Sequence, residues 1–115
     1  MLLFSGGITH GADFSFAILD TVTMNNIQAH GTKFISANIS GCKINRGRLK
    51  NSIFDNATIE NSDFSNSELT KASFVKSKLT NVNFTNAKVN DELFQAESLV
   101  NIRLPDGSLY NPLIS

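Results

Sequence analysis

Large apolar residues return along this chain at nearly every fifth position, and phenylalanine returns at every twentieth: Phe14, Phe34, Phe54, Phe74 and Phe94. From Phe34 the fives run Ile39, Ile44, Leu49, Phe54, Ile59, Phe64, Leu69, Phe74, Leu79, Phe84 and Val89. Two places before these centres there is usually a small residue, as at Ala12, Ala37, Cys42, Gly47, Ser52, Ala57, Ser67 and Ala72. Residues two apart share one face of an extended strand, so a large and a small side chain point inward together. The remaining three positions are mostly Asn, Ser, Thr, Lys, Asp or Glu. A helix is excluded, because its apolar stripe would recur every three or four residues. A short fixed repeat predicts a solenoid, with each unit a short extended side followed by a polar corner.

Four such sides close a square turn of twenty residues, and stacked turns lie about 4.8 Å apart. Each side then carries one ladder of centres. The first is the phenylalanine series. The second is Leu19, Ile39, Ile59, Leu79 and Leu99; the third is Phe4, Met24, Ile44, Phe64, Phe84 and Leu104. The fourth is Thr9, Ala29, Leu49, Leu69, Val89 and Leu109, and at Ala29 the large and small positions are exchanged with Ile27.

The runs "ASFVKSKLTNVNF", "ATIENSDFSNSEL" and "ANISGCKI" resemble the pentapeptide-repeat family, whose consensus is A-(D/N)-L-X-X. The resemblance covers residues 12–90 well and continues loosely to about 104. It implies an all-β fold, a right-handed quadrilateral β-helix. It implies less about activity, since sites are grafted onto folds. Some members in bacterial pathogens are injected effectors, or the β-helix part of HECT-like effector ubiquitin ligases. Others protect DNA gyrase by imitating duplex DNA with strongly acidic rods, usually paired end to end.

The chain has 115 residues, ten basic and ten acidic, for a net charge of zero. That balance and a basic cluster depart from the acidic rods of the DNA mimics. There is no apolar run long enough to span a membrane, and "MLLF" is too short for a secretory core. Cys42 stands alone at an inward position, so no disulfide framework is present, in keeping with a cytoplasmic setting in a bacterium or in a host cell. One domain is expected over 1–115: an irregular N-terminal cap at 1–11, regular repeats at 12–90, and a C-terminal cap and tail at 91–115. The chain is alternatively a fragment of a longer one.

The repeat falters after Val89. Glu92 and Glu97 fall at inward positions, where a lone carboxylate is costly. Asn90, Asp91 and Glu92 suit the start of a helix, so residues 91–99 form either a short capping helix or a distorted last turn. The tail around Pro105, Asp106 and Gly107 has turn chemistry and is suited to cover the exposed strand edge.

Residues 43–50 hold Lys43, Arg46, Arg48 and Lys50 with no anion. Such a run can grip phosphates or an acidic protein. The alternative is cross-turn pairing of Lys43 with Asp63, and of Arg48 with Glu68 and then Lys88. Charge is uneven by halves, net +3 over 1–50 and net −3 over 51–115, which predicts a weak axial dipole. Phe16, Ile35 and Val75 break the polar rule near the corner after the phenylalanine side, with Asp55 interrupting them. Clustered, they would make a docking patch. His10 and His30 stack on one corner as solvated residues, too few to ligate a metal. Corner asparagines such as Asn61, Asn81 and Asn101 suit tight turns. No catalytic set, cofactor site or phosphate loop is present in the motifs. The expected role is a non-catalytic interaction or scaffold module whose partner is another protein, with no specific nucleic acid, no membrane, and end-to-end self-association open to it.

Overall fold

The structure, a computed structural model, describes the backbone of residues 2–3 and all of residues 5–110. Phe4, the first expected rung of the third ladder, lies outside the described residues. The chain coils as a parallel β-solenoid, a column of 39 × 25 × 23 Å. Through the regular turns each residue sits beside the one twenty positions on. Five strands stack in parallel: β2 (Ile18–Asp20), β4 (Asn38–Ser40), β5 (Thr58–Asp63), β6 (Lys78–Asn83) and β7 (Ser98–Arg103). Leu19 faces Ile39, Ile39 faces Ile59, and Ile59 faces Leu79. β1 (Leu2–Leu3) pairs with β3 (Val22–Thr23) in the same twenty-residue register, and Gly6, Thr9 and Gly11 donate to carbonyls of the next turn. The coil therefore reaches back to Leu2.

Corners are made by one backbone device. The residue two after each centre from Thr9 to Phe84 takes a left-handed conformation, as at Asn26, Asn56, Asn66, Asn81 and Asn86, with φ between 55 and 61. At many corners the N–H of the next inward residue then donates to the centre's carbonyl, for example Ala57 to Phe54 at 3.1 Å, whereas the Cys42 and Gly47 N–H groups donate to the Ser62 and Ser67 hydroxyls of the next turn. Positive φ at this place is the requirement of a type II turn, and Asn tolerates it better than most residues.

The core is a stack of side chains. The rings of Phe34, Phe54 and Phe74 lie parallel at centroid spacings of 4.9 and 5.0 Å. Phe64 meets Phe54 edge-on at 5.8 Å, and Phe84 meets Phe74 edge-on at 6.1 Å. Ile39, Ile44, Leu49, Ile59, Leu69 and Leu79 are buried around them, Phe14 is half-buried, and Ile27 and Ala29 are both inside. Most inward hydroxyls are satisfied by main-chain carbonyls: Ser52 donates to Ala29 at 3.0 Å and Ser77 to Phe74 at 2.7 Å, while Thr9 Oγ1 is buried without a partner.

The phenylalanine ladder stops one rung early. Phe94 is 49% exposed, and Leu93, 1% exposed, takes the inward place. The cause is a 3-10 helix over Asp91–Gln95, which shifts the phase by one residue. Continued in phase, the coil would bury Glu92 and Glu97 without partners; after the shift Glu97 is exposed and pairs with Lys78 at 3.4 Å. Asn90 does not cap this helix through its side chain. Its Oδ1 accepts instead from the Lys71 N–H at 2.6 Å. The coil then resumes as β7. Beyond it the chain reverses, Leu109 bridges Arg103 antiparallel, and the Tyr110 N–H donates to Ile102. Leu109 is thus 52% exposed on a hairpin rather than a rung of the fourth ladder.

Candidate interaction groove at the Arg46–Arg48 corner

Between the third and fourth sides an open recess of about 530 Å3 runs along the column over four turns. Two files line it. One is the corner file Asn26, Arg46, Asn66 and Asn86; the other is the outward file Gln28, Arg48, Glu68 and Lys88. Arg46 sits in the left-handed corner conformation, φ 56, and its N–H donates to Ser65 on the next turn at 3.1 Å. The Arg48 N–H donates to Ile27 on the previous turn at 2.8 Å. The two arginines therefore flank Gly47 on a backbone clamped from both sides, and both are exposed.

Of the four cations in residues 43–50, the fold brings Arg46 and Arg48 into the groove and adds Lys88 from two turns on. Lys43 stands on the outer face of the third side and Lys50 beyond the outward file, so neither lines it. The expected cross-turn register is present, with Lys43 beside Asp63, Arg48 beside Glu68 and Glu68 beside Lys88. The expected charge contacts are not. The one ion pair among the described residues is Lys78 to Glu97. Asp63 instead accepts from the Asn45 side-chain amide at 3.2 Å and the Ser65 N–H at 2.9 Å. Pairing at the backbone sets where side chains start; long exposed side chains gain too little from contact to stay there.

Charge follows the turns more closely than the halves. Charged residues in 11–30 are all acidic, in 31–50 all basic, in 51–70 all acidic and in 71–90 all basic; residues 91–110 are acidic but for Arg103. The net charges are −2, +5, −4, +4 and −3. The column is a stack of rings of alternating sign, in place of a simple axial dipole, and the first and last of these five rings are acidic.

The apolar candidates do not form one patch. Phe16 is 76% exposed at a left-handed corner, φ 65. Ile35 is half-buried, and Val75 lies two turns from it, separated by Asp55. The Asp55 carboxylate is held by the Val75 N–H at 3.1 Å and the Ser73 hydroxyl. Beside Phe16 the sequence reading missed Ile18, 79% exposed. Its signal was present, because it stands one place before Leu19, where the repeat expects a polar residue.

The imidazoles of His10 and His30 lie 5.0 Å apart, and the His30 N–H donates to His10 Nδ1 at 3.0 Å. His30 Nε2 is buried with no hydrogen-bond partner. Among the described residues no three His, Cys, Asp or Glu side chains are grouped to hold a metal ion. The Cys42 thiol is buried against the Leu19 carbonyl at 3.2 Å, and that burial raises its pKa. Asp13 is held below the usual carboxylate range by hydrogen bonds from the Ser15 hydroxyl and N–H, and Asp106 likewise by Ser108. No helix among the described residues is long and apolar enough to cross a membrane.

A column of five-residue sides with an inward stack and outward files defines a repeat solenoid that presents side chains on a grid. The family model of pentapeptide repeats matches residues 32–70 and 48–86, with eight copies of the repeat. The chain belongs to the pentapeptide-repeat family, and its fold is the four-sided right-handed β-helix. A solved pentapeptide repeat protein from the Arabidopsis thaliana thylakoid lumen is 20% identical, with a TM-score of 0.65 over 94% of this chain and 80% of that one. Another, from the cyanobacterium Cyanothece, is 12% identical, with a TM-score of 0.54 over 90% of this chain and 86% of that one. At these identities the likeness is one of fold. No curated protein matches the sequence.

Proposed function

We propose that this chain is a non-catalytic protein-interaction module that docks its partner through the groove at the Arg46–Arg48 corner. The observation that carries the reading is the groove itself. Two straight files of polar and charged side chains run over four turns, with Arg46, Arg48 and Lys88 exposed and out of ion-pair contact. A rigid backbone presents them at fixed spacing, so little ordering entropy is lost when a partner engages them. Cations so placed steer and orient an acidic surface. The alternating rings speak against DNA mimicry, because Asp55, Glu60, Asp63 and Glu68 encircle one turn and form no continuous acidic face.

The test is affinity capture with this chain beside an Arg46→Glu/Arg48→Glu/Lys88→Glu variant, followed by calorimetry with the purified captured protein. A protein that binds the parent chain directly and is lost with the variant supports the module. Retention of the same proteins by both, or of nucleic acid alone, defeats it.

A further inference from the structure

We propose that the groove takes an extended acidic peptide in the polyproline II conformation, with two carboxylates separated by two residues. This rests on the interaction reading and names its ligand. Arg48, Glu68 and Lys88 occupy one file in unbroken register. At the strand spacing, Arg48 and Lys88 are rooted about 9.6 Å apart, with Glu68 midway. Two attractive positions with a repulsive one between them define the charge pattern a ligand must meet.

Peptide geometry selects among ligands. In a β-strand, residues on one face recur at about 6.6 Å and about 13.2 Å, and neither distance meets both cations. A polyproline II helix brings every third residue to the same face at about 9.3 Å, within a few tenths of the cation spacing. An acid-x-x-acid segment therefore sets one carboxylate against Arg48, reinforced by Arg46 at the neighbouring corner, and the next against Lys88. The intervening residues pass Glu68 and are neutral or basic. The corner file adds Asn26, Asn66 and Asn86, whose amides can bond the peptide backbone, which in polyproline II has no internal hydrogen bonds. A nucleic-acid strand fits less well, because its unbroken phosphate charge would be repelled at Glu68.

The test uses the whole chain and fluorescence anisotropy at low salt. The probes are labelled proline-rich peptides with two glutamates separated by one, two or three residues, and a labelled oligothymidine. The two-residue spacing is expected to bind about fivefold more tightly than the others, the worth of one exposed charge contact. Lys88→Glu removes the preference. Arg48→Glu weakens binding about tenfold or more, since it also juxtaposes two glutamates. Glu68→Gln raises oligothymidine affinity. Amide shift perturbations in the unmutated chain, confined to residues 46–48, 66–68 and 86–88, locate the site without relying on a variant's folding. Equal affinity for all spacings, no detectable peptide binding, or tighter oligothymidine binding overturns the proposal. A captured protein that depends on Arg46 and Arg48, with no peptide selectivity, would overturn this ligand and keep the interaction module.

Discussion

Arg48 and Glu68 are backbone partners on adjacent turns, yet their charged groups form no ion pair. The relationship is one of field rather than contact, and it repeats for Lys43 beside Asp63 and Glu68 beside Lys88, whereas Lys78 and Glu97 do meet at 3.4 Å. Arg48→Glu places like charges directly across strands, which lowers stability by up to about 1 kcal/mol. Urea unfolding in low and high salt reads the effect. The loss shrinks as salt screens it; a loss unchanged by salt would mean the charges do not act through the field.

The phenylalanine stack and its interrupted end predict losses of different size. Phe54→Ala empties a fully buried place between two stacked rings and one edge-on ring, and costs about 3–5 kcal/mol. Phe94→Ala removes a half-exposed ring whose aromatic neighbour is Tyr110, and costs about 1 kcal/mol. Urea midpoints separate the two. Equal losses would put Phe94 back on the inward ladder.

Phe16 carries a large apolar side chain through a left-handed corner, at a cost of roughly 1 kcal/mol for an L-residue. Phe16→Asn, the residue found at many other corners, raises the thermal midpoint and reduces binding of an apolar dye. A lowered midpoint would show that Phe16 makes stabilising contacts despite its exposure.

Burial raises the pKa of the Cys42 thiol. The neutral thiol is thus favoured in the folded chain, and its contribution is complete below the unfolded thiol pKa. It is lost as pH rises through the folded one. Ellman's reagent at mildly alkaline pH should leave the native chain unmodified and label it fully in urea. Prompt native labelling would place the thiol at the surface.

Much of this architecture can be read from the chain because each position in the repeat has one job. An inward place admits Phe54 or Ile59 and rejects Lys; a corner admits Asn56. The end of the ladder was harder. Glu92 announces trouble, but whether the chain escapes by a helix or a distorted turn depends on one residue of phase, which Leu93 and Phe94 satisfy almost equally well. The groove was harder still, since Arg48 and Lys88 lie forty residues apart and share a site through the stack. Summing charge over halves hid the ring pattern, because an acidic turn and a basic turn cancel when counted together.

The twenty-residue register has a consequence for how such a chain changes length. Adding one five-residue unit keeps every inward side chain inward, yet swings everything downstream through a quarter revolution. Lys88 would leave Arg48's side of the column while the core remained intact. Adding four units restores the alignment and lengthens the groove by one rung. Foldability and recognition thus obey different arithmetic: the core counts in fives, the surface in twenties.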